Sequence, residues 1–208
     1  MLTGKSPLPA EAIDFEKGGG LVPAIVQHGL TGEVLMLGYM NAEALAATQE
    51  KELVTFWSRS KNRLWMKGET SGDVLRLVSI AADCDRDALL VQALPEGPTC
   101  HLGTRSCFGD VPGPVLAFLG QLSGIIDDRA AAGGEESYTA SLLSKPINKI
   151  AQKVGEEGVE AALAGVAEND AALTGEAADL VFHLMVLLKA RGLSLTDVAE
   201  ELQRRHAK

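Results

Sequence analysis

The sequence predicts an α+β chain of two domains, a β-rich N-terminal domain with one or two helices and an all-α C-terminal helical bundle. Three observations predict it. Up to about residue 110 the apolar runs are short, rich in β-branched and aromatic residues, and separated by turn signals. Beyond Pro114 apolar residues recur at spacings of three and four, the period of a helix face. Between the two patterns lies Val111-Pro112-Gly113-Pro114, so the domains are set at residues 1–113 and 114–208. With 46% of 208 residues apolar, each part has enough material for its own core.

In chain order, LVPAIVQH, GEVLMLGYM, LVTFWS, LWMKGE and DVLRLVSIAAD read as strands, broken at His28-Gly29, Lys61-Asn62 and Ser71-Gly72. One helix interrupts them, because Asn41 is a good N-cap and AEALAATQEK consists largely of strong helix formers. Four helices follow Pro114: VLAFLGQLSGIIDDR, INKIAQKVGEEGVEAALAGVAE, EAADLVFHLMVLLKARG and LTDVAEELQRR. Gly133-Gly134 and Gly192 break or end helices, and Pro146 stands where a first helical turn tolerates it.

The charge balance narrows the function classes. Lys and Arg total 19 against 28 Asp and Glu, a net charge of -9, with no basic run to track a phosphate backbone. Nucleic acid is an unsuitable partner. The first twenty residues lack the apolar core of a signal peptide, and the apolar stretch near Leu180–Leu188 is interrupted by His183 and too short for a bilayer. The expectation is a cytoplasmic protein with no membrane contact. Residues 1–113 carry 10 basic and 14 acidic side chains and residues 114–208 carry 9 and 14, so each half has an acidic cluster of its own. That division suggests two metal-dependent sites.

The first cluster is DCDRD, residues 83–87. A thiolate is a soft ligand and a carboxylate a hard one, so a single metal rarely uses the whole set. If the segment is extended, Asp83, Asp85 and Asp87 point to one face and Cys84 to the other. Cys84, Cys100 and Cys107 are all the cysteines of the chain; three thiolates leave one position of a zinc tetrahedron open for water, although buried apolar thiols are equally consistent with them. His101, beside Cys100, is a fourth ligand or a general base. Upstream, Trp57 and Trp65 sit among Arg59, Lys61, Arg63 and Lys67, a mixture suited to a phosphorylated aromatic ligand, or else an exposed cationic hairpin over two core tryptophans.

Taken together, VLMLGYMN, FWSRSKNRLWMKGETSG, DCDRDALL and CHLGTRSCF resemble phosphoribosyl-AMP cyclohydrolase, the histidine-biosynthesis family that hydrolytically opens an adenine ring, over about residues 20–110. The resemblance implies Zn²⁺ on Cys84, Cys100 and Cys107, Mg²⁺ on Asp83, Asp85 and Asp87, and a homodimer that shares the zinc site. Leu102 departs from the family, which often has Thr there. Zinc hydroxide suits the chemistry, since water must add at the amidine carbon of the ring.

In the helical half the carboxylates are Glu156, Glu157 and Glu160, then Glu176 and Asp179, each set spaced at three or four residues. Such faces are commonly just solvated, but Asp179 directly precedes LVFHLMVLL, a run expected to be buried, where an unpaired carboxylate is costly. SYTASLL, KIAQKVGEEGVE and EAADLVFHLMVLL resemble phosphoribosyl-ATP pyrophosphohydrolase over about residues 115–206. The match implies Mg²⁺ on those five carboxylates and phosphate contacts from Lys149 and Lys153. Gly158 stands where that family commonly has Ala.

The two resemblances imply one bifunctional enzyme for consecutive steps, acting on phosphoribosyl-ATP and then phosphoribosyl-AMP. Two rivals are a general nucleoside triphosphate pyrophosphohydrolase carrying a zinc-binding accessory domain, and a non-enzymatic, zinc-stabilised nucleotide-binding dimer.

Overall fold

The computed structural model describes residues 7–109, 113–133 and 137–207. Val111, Pro112 and Gly134, named above as a junction and a helix breaker, lie outside the described residues. The chain forms two compact units, Met1–Phe118 and Leu119–Lys208.

The N-terminal unit is built on strands β1 (Val22–His28), β2 (Val34–Met40), β3 (Thr55–Ser58), β4 (Arg63–Met66), β5 (Leu75–Ala82) and β6 (Leu89–Pro95), with helix α1 (Ala42–Lys51) between β2 and β3. Four strands form a sheet in the order β2-β1-β6-β5, with β1 and β6 parallel and the other pairs antiparallel. The hairpin β3-β4 is separate. Alternation decides which face is covered: Val22, Ala24 and Val26 on β1, Leu89, Val91 and Ala93 on β6, and Phe56 on β3 are buried in one core with Leu45 of α1. As expected, Asn41 caps α1, its side chain accepting from Ala44 N at 2.8 Å. Gly38 is required by packing, because a Cβ there would lie 2.3 Å from Phe56 Cδ1.

The other sheet face is open. Leu37, Ile25 and Leu90 are register partners across β2, β1 and β6, and they are 46%, 38% and 41% exposed.

Two expectations about this unit are corrected. DCDRD is not extended: Asp83–Ala88 is the turn joining β5 to β6, with Arg86 in the left-handed region at φ 63°. Leu89–Pro95, absent from the strands singled out above, is the strand on which both β1 and β5 pair.

The C-terminal unit has, among the described residues, five helices, not four: α2 (Ala117–Ala132), α3 (Tyr138–Leu143), α4 (Ile147–Ala167), α5 (Asp170–Ala190) and α6 (Leu195–His206). The additional one, α3, has six residues and contributes Leu142 to a core with Ile126, Ile150, Met185 and Val186. Helix α5 starts six residues before the expected segment, where Asn169 Oδ1 accepts from Ala171 N and Ala172 N at 3.0 and 3.1 Å. With 21 residues and a mean hydropathy of 1.6, α5 is long and apolar enough to cross a membrane, which corrects the expectation that this stretch is too short. Glu176, Asp179 and His183 lie along it, and such groups are expensive in a bilayer core. Only 17% of its apolar window is buried within the chain, and Val159, Leu163 and Val166 of α4 are exposed as well.

Candidate functional sites

The loop after β4 builds the first site. Lys67 is 7% exposed and its Nζ donates to Asp73 O at 2.8 Å, which folds KGETSG back on itself. Gly68 at φ 83° makes that reversal possible, since a Cβ there would stand 2.5 Å from the Asp73 carbonyl. The resulting cavity of about 550 Å³ is lined by Trp65, Lys67, Glu69, Asp73, Thr99, Cys100, His101 and Cys107. Trp65 is held by stacking on Phe56, with centroids 5.8 Å apart.

Cys100 and Cys107 line the cavity together. The Leu102 backbone and the Thr104 side chain, with a smaller contribution from Cys107, hold the Cys100 thiol below its usual range. Burial, then the neighbouring Cys100 charge, pushes Cys107 up. His101 Nδ1 lies 3.9 Å from Cys100 Sγ.

Cys84 is exposed and stands elsewhere, on the turn between β5 and β6. The cavity is at the other end of that hairpin, where Asp73 leads into β5 and Pro98 follows β6. From Leu75 to Ala82 the strand spans roughly 23 Å. Within one chain the structure therefore brings Cys100 and Cys107 together and leaves Cys84 apart.

The acidic turn forms a second cluster. One carboxylate oxygen from each of Asp83, Asp85 and Asp87 lies within 4.8 Å of the others, a set of hard donors close enough for one divalent cation. The turn itself orients Asp83, whose Oδ1 accepts from Asp87 N at 3.0 Å and Ala88 N at 3.1 Å. Lys17 reaches two of the same carboxylates, with Nζ 2.5 Å from Asp85 Oδ2 and 2.5 Å from Asp87 Oδ2. That ammonium holds Asp85 below the usual carboxylate range.

Of the six residues proposed for the aromatic phosphate ligand, Trp65 and Lys67 line the cavity. Arg59 lies over the Tyr39 ring at 3.9 Å, Arg63 is paired with Glu69, and Trp57 and Lys61 are not among the lining residues. Sequence reasoning missed Glu69, Asp73 and Thr99. The first two were visible in KGETSGD, but a loop acid carries no signal of the cavity it faces.

The third cluster lies between α4 and α5. Carboxylate oxygens of Glu157, Glu176 and Asp179 are within 4.8 Å of one another, again a donor set that fits a divalent cation. Burial, Glu157 and Glu176 push Glu160 above its usual value, which marks it as a neighbour of that set. Glu156 turns away to Gln152 Nε2 at 2.7 Å and Lys153 Nζ at 2.9 Å. Lys153 also lies 2.9 Å from Glu157 Oε1 and holds that carboxylate low. Lys149 donates to Gln152 Oε1 at 3.0 Å, behind Glu156. The burial argument for Asp179 is corrected: Asp179 is exposed because α5 is covered on one side only, and the buried carboxylate is Glu157.

Beside this cluster His183 is buried, a residue that sequence reasoning treated as an interruption. Its Nδ1 donates to Asp179 O at 2.9 Å, and its Nε2 is hydrogen-bonded to the Tyr138 hydroxyl at 2.9 Å. Its ring lies against Glu157, with Nδ1 3.6 Å from Oε1.

Known proteins resemble the chain in both halves. The family model for phosphoribosyl-AMP cyclohydrolase matches residues 36–109, and that for phosphoribosyl-ATP pyrophosphohydrolase matches residues 119–206. Proteins named histidine biosynthesis bifunctional protein HisIE are similar over nearly the whole length. The one from Xanthomonas axonopodis pv. citri is 59% identical, covering 95% of this chain and 95% of its own. The one from Photobacterium profundum is 57% identical over 94% and 97%, and the one from Escherichia coli K12 is 58% identical over 93% and 95%.

Proposed function

Because the chain belongs to the family of bifunctional histidine-biosynthesis proteins HisIE, with a phosphoribosyl-AMP cyclohydrolase half and a phosphoribosyl-ATP pyrophosphohydrolase half, we propose how its residues divide the two reactions. The rival reading of a general pyrophosphohydrolase with an accessory zinc domain has no support in these relatives.

Pyrophosphate release belongs to the cluster between α4 and α5. Glu157, Glu160, Glu176 and Asp179, joined by Glu156 once Lys153 releases it, would hold Mg²⁺, which would supply charge neutralisation for water attack at the α-phosphorus and for the departing pyrophosphate. Lys153 exchanges its carboxylate partners for phosphate oxygens, and Lys149 adds a second positive charge on the same helix. His183 holds the Glu157 carboxylate and the Tyr138 hydroxyl in place.

Ring opening belongs to the cavity of the N-terminal unit. Cys100 and Cys107 would supply two zinc ligands, and the bound zinc would lower the pKa of its water toward about 7. Trp65 gives the purine an aromatic wall, and Lys67 places a cation where the cavity would otherwise be lined by Glu69 and Asp73. His101 takes the proton of the attacking water and returns it to the ring nitrogen as its bond to the amidine carbon breaks. Asp83, Asp85 and Asp87 are the Mg²⁺ ligands of this half.

The third thiolate is Cys84 of a second copy of the chain. The observation that carries this reading is that Cys84 lies at the far end of the β5-β6 hairpin from Cys100 and Cys107. The open row Leu37, Ile25 and Leu90 and the exposed apolar residues of α4 and α5 are surfaces for such a homodimer to cover. Thiolate ligands also favour the reducing cytoplasm as the place of action.

Mixing two inactive variants tests the shared site. Cys84→Ser and Cys107→Ser each break every zinc site in their own homodimers, whereas a mixed dimer keeps one complete site. Denaturing and refolding the two together should restore zinc and ring opening to about a quarter of the wild-type level, by random pairing of two symmetric sites. No recovery, with both variants dimeric and folded, overturns the assignment of Cys84 to the partner's site.

A further inference from the structure

Lys17 lies outside the residues matched by the cyclohydrolase family model, and nothing in the reaction described above uses it. Its position is specified by the fold. Ile13 is buried in the N-terminal core, and Asp14 N donates to Arg86 O at 2.7 Å, which fastens the segment to the acidic turn. Lys17 N in turn donates to Asp14 Oδ1 at 3.1 Å, and Gly20 N closes the loop onto Phe15 O at 2.7 Å. The backbone carrying Lys17 is thus held beside Asp83–Asp87 by bonds that do not involve its ammonium.

The ammonium itself bridges Asp85 and Asp87, at 2.5 Å from each. These are two of the three carboxylates whose oxygens converge within 4.8 Å. A divalent cation on that set needs the same carboxylates, and the two positive charges repel one another. Lys17, Asp85 and Asp87 side chains are 49%, 57% and 32% exposed, so the ion pairs are solvated and exchangeable.

We propose that Lys17 is a tethered cation that occupies the acidic turn of the metal-free protein and is displaced when a divalent cation binds, so that it sets the metal affinity of the cyclohydrolase half. By linkage, whatever occupies a site weakens a competitor for it. The four-carbon arm lets go while the loop stays docked, which keeps the competition intramolecular and independent of protein concentration. This inference rests on the reading of Asp83, Asp85 and Asp87 as metal ligands.

Mn²⁺ binding to the full-length chain, followed by electron paramagnetic resonance without substrate, tests both. Asp85→Asn should remove one class of Mn²⁺ site, and that class is the one to follow. In Lys17→Met its affinity should rise on the order of fivefold, the size of a solvated ion pair. Lys17→Arg, which keeps the charge, should stay within about twofold of wild type. If Lys17→Met leaves this class unchanged or weakens it, Lys17 is a clamp and not a competitor, and the inference is overturned while the metal site stands. If Asp85→Asn removes no class of site, the acidic turn is not a metal site and both readings fall.

Discussion

A methyl group added at Gly38 would meet the Phe56 ring at 2.3 Å, whereas one added at Gly158 would rest on Leu180 Cδ1 at an ordinary 3.9 Å. The same substitution therefore has opposite signs at the two positions. Gly38→Ala should cost about 1–3 kcal/mol through overpacking. Both tryptophans lie in the N-terminal unit, so urea unfolding followed by their fluorescence reads that cost. Gly158→Ala should stabilise the helical unit by up to about 1 kcal/mol, seen as a higher melting temperature by circular dichroism. At this scale the sequence is most readable where chemistry and spacing coincide. Glu157, Glu176 and Asp179 could be named because helical period alone brings i, i+3 residues to one face, and the facing helix did the rest. Lys17 could not be named, since its partners Asp85 and Asp87 are about seventy residues away and only the tertiary fold joins them. His183 was legible as a residue but not as a role: its two hydrogen bonds go to a carbonyl on its own helix and to a tyrosine on α3.

Helix α4 carries carboxylates displaced in both directions, and the balance gives the metal-free helical unit a pH signature. Glu160 is raised above the usual 4.5 by burial, by Glu157 on the same helix and by Glu176 on α5, with Lys153 opposing. Charging it against these groups costs stability, so that cost appears as pH rises through its folded value, above 4.5. Glu156 and Glu157 are lowered by Lys153; their contribution is complete above the usual 4.5 and is lost as pH falls below it. With metal chelated, the melting temperature should therefore decline as pH rises above 4.5, and Glu160→Gln should flatten that decline. A slope unchanged in Glu160→Gln assigns it to other groups. Element by element, legibility followed how much of a segment's packing is internal. Short β-branched and aromatic runs between turn signals disclosed β1 to β5, and a cap with strong helix formers disclosed α1, but Leu89–Pro95 directly follows the metal-like motif and was absorbed into it. The start of α5 was hidden because Asp170–Gly175 is, Leu173 apart, polar or small and mostly exposed, so no apolar face announces a helix that Asn169 nevertheless begins. α3 is too short for periodicity to register.

At the scale of the whole molecule the two ligand sets lie in different compact units, and each should fail alone. Asp179→Asn keeps side-chain size and removes one charge from the helical cluster. Pyrophosphate release from phosphoribosyl-ATP should fall by orders of magnitude, while supplied phosphoribosyl-AMP is still opened at the wild-type rate. Equal loss of both activities would make the sites interdependent. The composition break near residue 113 made two units visible in the sequence, because the periods on its two sides differ. The span of β5 was not visible, because a turn written as five consecutive residues gives no hint of how far the strand before it has carried them from Asp73. That span has a consequence for the supply of intermediate inside a cell. Glu157, Glu176 and Asp179 come together within a single chain, whereas Cys84 stands apart from Cys100 and Cys107. If Cys84 completes a partner's site as proposed, dilution that separates the chains would stop ring opening first, and the level of expression would decide whether phosphoribosyl-AMP accumulates or passes on.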